Sequence, residues 1–202
     1  MIILGLNIHH PNASACIVKD GKLMFFVEEE RILRIKNWDG FPKNSIEKCL
    51  DFCDIKIDDI DHVVVNSNPS SNIKNKIFFI FKNFYNISLY KDRFDSFLKK
   101  KSVKKILNRD IIKIDHHLSH ISSSAFISNF EEATCLSLDG FGDFCSGAVG
   151  KYENNKIKIE KRIYFPDSLG VFYHALTQFL GFTNFGDEYK VMGLSGYGKP
   201  SL

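Results

Sequence analysis

Residues 2–28 read "IILGLNIHHPNASACIVKDGKLMFFVE", and this stretch decides the fold. The apolar run Ile2–Asn7 predicts a strand, and a polar turn follows it. Ser14–Lys19 predicts a second strand and Leu23–Glu28 a third. The Asp-Gly pair between these two strands is a strong signal for a tight hairpin turn. The sequence therefore begins with three strands that are joined by short turns.

The same pattern returns about 132 residues later (139 − 7 = 132). "ATCLSLD" (133–139) predicts a strand that ends in a polar residue, "CSGAVGKY" (145–152) a second strand, and "KIKIEKRIYF" (156–165) a third. Asn7 and Asp139 occupy equivalent places, since each closes the first strand of its copy. A duplicated unit of three strands followed by helices is the α/β arrangement of actin, the sugar kinases and the Hsp70 ATPase domain. In those proteins the hairpin loops hold phosphates with backbone N–H groups.

The second copy is incomplete. Between the copies the sequence predicts a helix at 42–53, strands at 62–66 and 110–114, and a helix that begins near His116. After the second copy it predicts one helix at 168–180, and the strands that would complete a second sheet are missing. We therefore expect a first subdomain at 1–130, the start of a second at 131–202, and a chain that is a fragment of a longer protein.

The composition is that of a globular α/β protein. A chain of 202 residues with 44% hydrophobic residues can bury one substantial core or two small ones, and a net charge of +3 does not by itself indicate nucleic acid. No run reaches the roughly 18 apolar residues of a membrane span, and the N-terminal residues do not resemble a signal peptide. Cys49 and Cys53 lie on the apolar stripe of a helix and are expected to be buried thiols. A reducing, cytoplasmic location follows as the default.

An insertion at about 74–109 combines basic and aromatic residues. It contains eleven Lys or Arg residues among aromatics that include Phe78 and Phe81. Such interleaving is found in proteins that bind nucleic acid. An amphipathic helical insertion, with its aromatics buried and its lysines in water, is the favoured interpretation. We therefore expect neither a nucleic acid nor a membrane as partner.

The fragment "IDHHLSH" (114–120) brings three histidines together. In a helix that begins near His116, His116 and His120 stand four residues apart on one face and can share a metal ion. Two imidazoles and a carboxylate suit iron(II) or zinc, and Asp139 is the natural third ligand. Alternatively, His116 contacts polar backbone and His120 is simply half exposed. The residues alone leave both interpretations open.

Two further stretches could contact an anion. The loop "LDGFGD" (138–143) has two glycines that allow close approach of the backbone and two carboxylates that could hold a cation, although a tight turn would need glycine as well. Arg31, Arg34 and Lys36 follow the third strand. They form either an exposed charged turn or a set of cations that meets a phosphate.

Several segments together resemble one family. They read "KDGKLMFFVEEERILRIKNWDGFPKNSIEKCL", "DHHLSHISSSAF", "LSLDGFGD", "SLGVFYHALTQFLGF" and "GDEYKVMGLSGYGKP". In this order they resemble the N-terminal, actin-like domain of the O-carbamoyltransferases that act in nodulation-factor and antibiotic tailoring. The resemblance runs nearly from end to end, except in the basic and aromatic insertion. It implies a C-terminal domain, absent here, that makes carbamoyl-adenylate from carbamoyl phosphate and ATP.

The resemblance also implies a reaction. The actin-like domain would transfer the carbamoyl group to a hydroxyl of a small molecule, a sugar or a natural product, with a bound metal, usually iron, on the adenylate phosphate. If the natural chain ends at Leu202, a separately encoded remainder of the enzyme would be a partner. A small-molecule kinase of the same fold group and a non-catalytic binding module are the alternatives.

The resemblance assigns roles residue by residue. His116, His120 and Asp139 would be metal ligands, and Lys36 would face the carbamoyl group or its acceptor. The remaining residues would contact the nucleotide. Asp139, Gly140, Phe141, Gly142 and Asp143 would lie beside the adenylate. Asp187, Glu188 and Lys190 would line the nucleotide side.

One departure affects the catalytic base. The family has His-Asp-Ala-Ser in the first loop, whereas this chain has "HHPNAS" (9–14). Pro11 takes the place of the histidine and Asn12 that of the aspartate, and an amide cannot act as a general base. His10 is therefore the expected substitute.

Overall fold

The computed structural model describes residues 1–8, 10–82 and 109–199. The chain forms two compact units, Met1–Ser119 and His120–Leu202. Each unit contains one β-sheet with its own helices. The fold is therefore mixed α/β, as the sequence predicts.

The first unit is built on a five-stranded mixed sheet with the strand order β3-β2-β1-β4-β5. Its strands are β1 (Ile2–Asn7), β2 (Ser14–Lys19), β3 (Lys22–Glu28), β4 (His62–Val65) and β5 (Ile111–Lys113). β1, β2 and β3 pair antiparallel, whereas β4 pairs parallel to β1 and β5 parallel to β4. Asp20 and Gly21 both have positive φ, as the predicted hairpin turn between β2 and β3 requires.

Helices complete the first unit. They are α1 (Glu29–Leu33), α2 (Lys43–Cys53), a 3₁₀ turn (Ile57–Asp59) and α3 (Ile73–Lys82). Ile46 and Cys49 of α2 pack on Leu4 and Ile17 of the sheet in one hydrophobic core, and Cys53 lies partly buried beside it. Burial raises the pKa of the Cys49 thiol to about 12. Cys49 is therefore a buried core thiol, as expected, whereas Cys53 is only partly buried.

A buried glutamate joins α1 to α2. Glu29 is 1% exposed, and its carboxylate accepts hydrogen bonds from the backbone N–H groups and side chains of Asn44 and Ser45. These two residues belong to the first turn of α2, where backbone N–H groups lack partners within the helix. Burial would raise the pKa of Glu29, but the hydrogen bonds from Ser45 and Asn44 outweigh burial and lower it.

The prediction of buried aromatic residues in the insertion is wrong for its described part. α3 has no buried residues, and Phe78 and Phe81 are 70% and 78% exposed. No residue of α3 belongs to either hydrophobic core of the described residues. The remainder of the insertion, 83–108, lies outside the described residues.

The second unit contains a three-stranded antiparallel sheet with the order β6-β7-β8. Its elements are β6 (Glu132–Gly142), β7 (Cys145–Glu153), β8 (Lys156–Tyr164), α5 (Leu169–Phe179) and α6 (Glu188–Ser195). Helix α4 (His116–Ala125) begins in the first unit and continues into the second. Both copies of the predicted three-strand motif are thus present.

The boundary between the two units lies between Ser119 and His120, whereas the sequence predicts a boundary after residue 130. Ile121 and Ala125 of α4 are buried in the second hydrophobic core, with Cys135, Ala148 and Tyr152 of β6 and β7. Most of α4 therefore belongs to the second unit, because its apolar side chains pack on that sheet. Whether 1–130 and 131–202 correspond to two actin-like subdomains remains a prediction.

Candidate metal centre

The N-terminal turn of α4 carries the histidines. The helix begins at His116, and the Asp115 carboxylate accepts a hydrogen bond from the backbone N–H of Leu118, 3.1 Å away. Asp115 thus acts as the N-terminal cap. His116 and His120 lie one turn apart on the same face of the helix, whereas His117 is completely buried and its ring lies edge-on to that of His116.

Asp139 lies at an irregularity in β6. The pairing of β6 with β7 breaks between Leu138 and Gly142, so the strand continues past Asp139 instead of ending there as predicted. One carboxylate oxygen of Asp139 accepts a hydrogen bond from the N–H of Gly140 at 2.6 Å, and the other lies 3.5 Å from Nε2 of His120. The irregularity therefore turns the carboxylate of Asp139 toward the helix.

His116, His120 and Asp139 each offer one possible ligand atom, and these atoms lie within 4.8 Å of one another. Ligand atoms that bind one ion at about 2.1 Å are at most about 4.2 Å apart, so small side-chain movements would complete a site. His116 is buried, whereas His120 and Asp139 are about half and a third exposed. Two imidazoles and one carboxylate with an open side form a donor set suited to iron(II) or zinc and a bound substrate.

The start of helix α5 fixes the segment that carries Asp139. The Ser168 hydroxyl caps the helix by accepting from the N–H of Val171, and it donates to the Gly140 carbonyl at 2.7 Å. A Cβ atom at Gly170 would lie 2.7 Å from the Asp139 carbonyl oxygen and 2.7 Å from the Gly140 nitrogen. Only glycine allows the helix to approach the backbone of Asp139 this closely.

A cavity of about 780 Å³ borders this segment. Its walls are mostly apolar and aromatic, and its polar side chains include Asp139, His174 and Glu188. The lining residues are Leu138, Asp139, Gly140, Phe141, Leu169, Gly170, Val171, Phe172, Tyr173, His174, Phe185 and Glu188. The cavity therefore combines one candidate metal ligand with surfaces on which a ring could pack.

Sequence reasoning named Glu188 of this cavity but missed its partners His174 and Gln178. His174 Nδ1 lies 2.5 Å from Oε1 of Glu188, and His174 Nε2 lies 3.0 Å from the amide nitrogen of Gln178. His174 and Gln178 are polar residues four apart on a largely apolar helix, which was the available signal. Glu188 lies on α6, fourteen residues further on, so the pairing itself could not be read from the sequence.

His10 lies beside His116, one of the candidate metal ligands. Its ring centroid is 5.6 Å from that of His116. The loop around it is held by Asn7, whose amide group donates to the carbonyls of Pro11 and Asn12, with Asn12 at positive φ. The altered loop sequence thus keeps a histidine near His116, although a catalytic role of His10 remains a prediction.

The other predicted site residues lie in several places. Gly140, Phe141 and Glu188 line the cavity, whereas Gly142 is the last residue of β6 and Asp143 follows it in the tight connection to β7. Lys36 is exposed after α1. These positions do not by themselves assign the residues a ligand.

Asp187 and Lys190 pair with each other. Asp187 is buried, and its carboxylate lies 2.6 Å from the Lys190 ammonium group and accepts from the Asn184 N–H. The hydrogen bond from Lys190 holds the pKa of Asp187 below its usual range. Within the described residues, this pair secures the start of α6, and it is not part of the cavity lining.

Comparison with known proteins identifies the family. Residues 2–77 and 66–202 match the family described as "Carbamoyltransferase N-terminus". This match covers almost the whole sequence. The chain belongs to the family of carbamoyltransferase N-terminal domains, as its sequence motifs suggest.

Individual relatives agree with the family match. The nodulation protein NolNO of Sinorhizobium fredii is 33% identical over 192 residues, which cover 94% of this chain and 28% of that protein. An uncharacterized protein of Synechocystis is 30% identical over 215 residues, 98% of this chain and 35% of that one. The nodulation protein NolO of Bradyrhizobium diazoefficiens is 43% identical over 91 residues, 43% of this chain and 16% of NolO. The chain thus spans about a third of the length of the curated relatives that it matches over most of its length.

Among solved structures, YeaZ from Pseudomonas aeruginosa aligns with a TM-score of 0.44 at 12% sequence identity, covering 82% of this chain and 67% of YeaZ. The Aquifex aeolicus PPX-GPPA enzyme aligns with a TM-score of 0.40 at 14% identity, covering all of this chain and 66% of that enzyme. Within the described part of the chain, no helix is both long and apolar enough to cross a membrane.

Proposed function

We propose that this chain is the metal-binding, actin-like part of an O-carbamoyltransferase. Its substrates would be carbamoyl-adenylate, made from carbamoyl phosphate and ATP, and a hydroxyl group of a sugar or another natural product. The observation that carries the proposal is the cluster of His116, His120 and Asp139 in a chain of this family. A domain that forms the adenylate would act together with this chain, either in the same polypeptide or as a separate one.

The strand arrangement supports the actin-like assignment. The first sheet places three antiparallel strands beside two parallel ones, and the second sheet repeats the antiparallel three. In such folds the connections after the first strand of each copy contact phosphate groups. Here the connection after β1 carries His10, whereas Asp139 and Gly140 lie in the irregular last part of β6, just before its connection to β7.

His116, His120 and Asp139 would hold the metal ion, which we propose to be iron(II). When bound, this ion would act as a Lewis acid that neutralises charge on the leaving phosphate. Ser168 and Gly170 keep the Asp139 segment in place, which preserves the geometry of the ligands.

The acceptor step needs a base and an oriented hydroxyl group. The acceptor oxygen forms a bond to the carbamoyl carbon, the bond from that carbon to the adenylate phosphate oxygen breaks, and AMP leaves. His10 is the proposed proton acceptor, because it lies next to His116 and Asn12 cannot accept a proton. Orientation of the two substrates in one cavity would contribute several kcal/mol to lowering the barrier.

The test incubates the natural full-length protein with ATP and carbamoyl phosphate and then separates the nucleotides. We expect AMP and pyrophosphate whose formation depends on carbamoyl phosphate. Formation of ADP would instead support a small-molecule kinase. If no nucleotide product forms, the result would support a non-catalytic binding module. The histidine pair disfavours a kinase, since Mg²⁺ sites for phosphoryl transfer use oxygen ligands.

Metal binding is tested separately on residues 1–202. Titration with Co²⁺, followed by its visible absorption, should show one site in the wild-type chain. His120→Ala and Asp139→Asn should lower the affinity by at least tenfold. His62→Ala is the matched control, because His62 is an exposed histidine outside the cluster. Equal affinities in all four proteins would refute the ligand assignment.

A further inference from the structure

The cavity contains a connected group of three polar side chains. His174 and Gln178 lie on α5 and Glu188 on α6. The short contact between His174 Nδ1 and Glu188 identifies Nδ1–H as the donor to the carboxylate. The Nε2 atom then accepts from the amide of Gln178. Both ring nitrogens are engaged, so the orientation and tautomer of the imidazole are fixed.

Glu188 has one oxygen left for another partner. Its Oε1 atom accepts from His174, whereas Oε2 has no hydrogen bond to the described residues. About a third of its side chain is exposed, and it lines the same cavity as Asp139. A carboxylate in a largely apolar cavity favours a ligand that donates hydrogen bonds, and hydroxyl groups are such donors.

The rest of the cavity suits a ring. Phe141, Phe172, Tyr173 and Phe185 contribute aromatic surface to its walls. Aromatic side chains pack well against sugar and nucleoside rings, and a single well-placed polar group then fixes the orientation of the ligand.

The resemblance of the sequence already implies that Glu188 contacts the nucleotide; we propose that His174, held by Gln178, is the positioning residue through which Glu188 binds a hydroxyl-bearing ring in this cavity. This inference rests on the proposed function, which supplies two substrates with that chemistry. One is the ribose of the adenylate, and the other is the hydroxyl acceptor. Through its hydrogen bond, His174 directs the second oxygen of Glu188 toward the ligand.

A purely structural role makes different predictions. If the pair only joined α5 to α6, replacement of His174 would lower stability without a specific effect on one ligand. A positioning role requires that the effect on binding follows the hydrogen bond to Glu188. His174→Asn can retain a donor close to Nδ1, whereas His174→Phe keeps a ring and removes the donor. This pair of variants separates the two roles.

The experiment measures equilibrium binding of AMP, 2′,3′-dideoxy-AMP and methyl α-D-glucoside to residues 1–202. The proteins are the wild type, Glu188→Gln, His174→Phe, His174→Asn and Gln178→Leu. If the ring is the nucleoside sugar, AMP affinity should fall at least tenfold in Glu188→Gln and His174→Phe. It should recover largely in His174→Asn, and dideoxy-AMP should bind equally to all variants. If the ring belongs to the acceptor, the glucoside should show this pattern instead.

Three results would overturn the inference. Unchanged affinity for both probes in Glu188→Gln would exclude Glu188 as the contact. Equal losses in His174→Asn and His174→Phe would exclude the positioning role, and a wild-type chain that binds neither probe would exclude the ligand class. Chemical denaturation of each variant identifies those that fail to fold, and Gln178→Leu keeps the test available if they do. None of these measurements requires carbamoyl transfer, so failure of the proposed function would be seen separately, in the nucleotide products.

Discussion

Replacement of Gly170 by alanine is the most direct test of how the candidate metal centre is supported. The added Cβ would lie 2.7 Å from the Asp139 carbonyl oxygen, whereas ordinary contacts begin at 3.4 Å. The start of α5 and the backbone of Asp139 must therefore move apart by about 0.7 Å (3.4 − 2.7 = 0.7). Overpacking of this kind costs about 1–3 kcal/mol. The displaced segment carries the carboxylate that lies 3.5 Å from His120, so metal affinity should also fall by about tenfold or more.

Gly193→Ala is the matched control for this prediction. Gly193 lies inside α6, and a Cβ there would meet nothing within 4 Å. This substitution should be neutral or should stabilise the protein by about 0.5–1 kcal/mol, since alanine favours the helix. Urea denaturation and Co²⁺ titration measure the two effects. Equal stability and equal metal affinity in Gly170→Ala and the wild type would refute the close approach of α5 to Asp139.

Three further predictions concern stability. Glu29→Ala should lower the free energy of unfolding, measured by urea denaturation, by about 2–4 kcal/mol, because it leaves buried N–H groups of α2 without their acceptor. A loss below about 1 kcal/mol would contradict this role. Since the pKa of Glu29 is lowered in the folded state, its contribution should be present above the ordinary pKa of about 4.3 and disappear as the pH falls through the folded value. Denaturation between pH 3 and pH 7 should therefore show a steeper acid loss in the wild type than in Glu29→Ala, and parallel curves would exclude this linkage. Ser168→Ala should cost about 1 kcal/mol through loss of the α5 cap. Ser119→Ala provides the comparison, because the Ser119 hydroxyl donates to the carbonyl of Asp115 one turn earlier.

All strands except β6 could be predicted to within one residue at each end. Burial alternates along β1 and β2, and turn residues with positive φ separate β1, β2 and β3. The turn between β7 and β8 likewise has Asn154 and Asn155 at positive φ. The start of α4 at His116 was also predictable, because Asp115 precedes it as a cap. These features depend on neighbours in the sequence, so local chemistry is sufficient to define them.

Features that depend on distant partners were not predicted. α1 was missed because its short, charged sequence has no apolar periodicity, and the burial of Glu29 depends on residues of the next helix. α6 was missed because its apolar residues form no clear stripe. The pairing of His174 with Glu188 joins two helices through contacts that no spacing in the sequence reveals.

Candidate metal ligands fall between these two cases. The spacing of His116 and His120 follows from the helix, and Asp139 was expected near them because it ends an equivalent strand motif. The irregularity of β6 that directs its carboxylate to His120 could not be foreseen, because it depends on the pairing with β7.

Asn7, at the equivalent place in the first copy, uses its side chain for hydrogen bonds within the first unit. Its amide nitrogen donates to two carbonyls of its own loop, and its oxygen accepts from the amide of Asn66. An aspartate there could not donate, and its charge would repel those carbonyl oxygens. The two equivalent positions therefore differ chemically: Asn7 is neutral and its hydrogen bonds are made within its own unit, whereas Asp139 is a carboxylate that could bind a cation. Exchange of Asn7 and Asp139 would impair both strand ends, so a single substitution could not transfer the proposed cation site from one copy to the other.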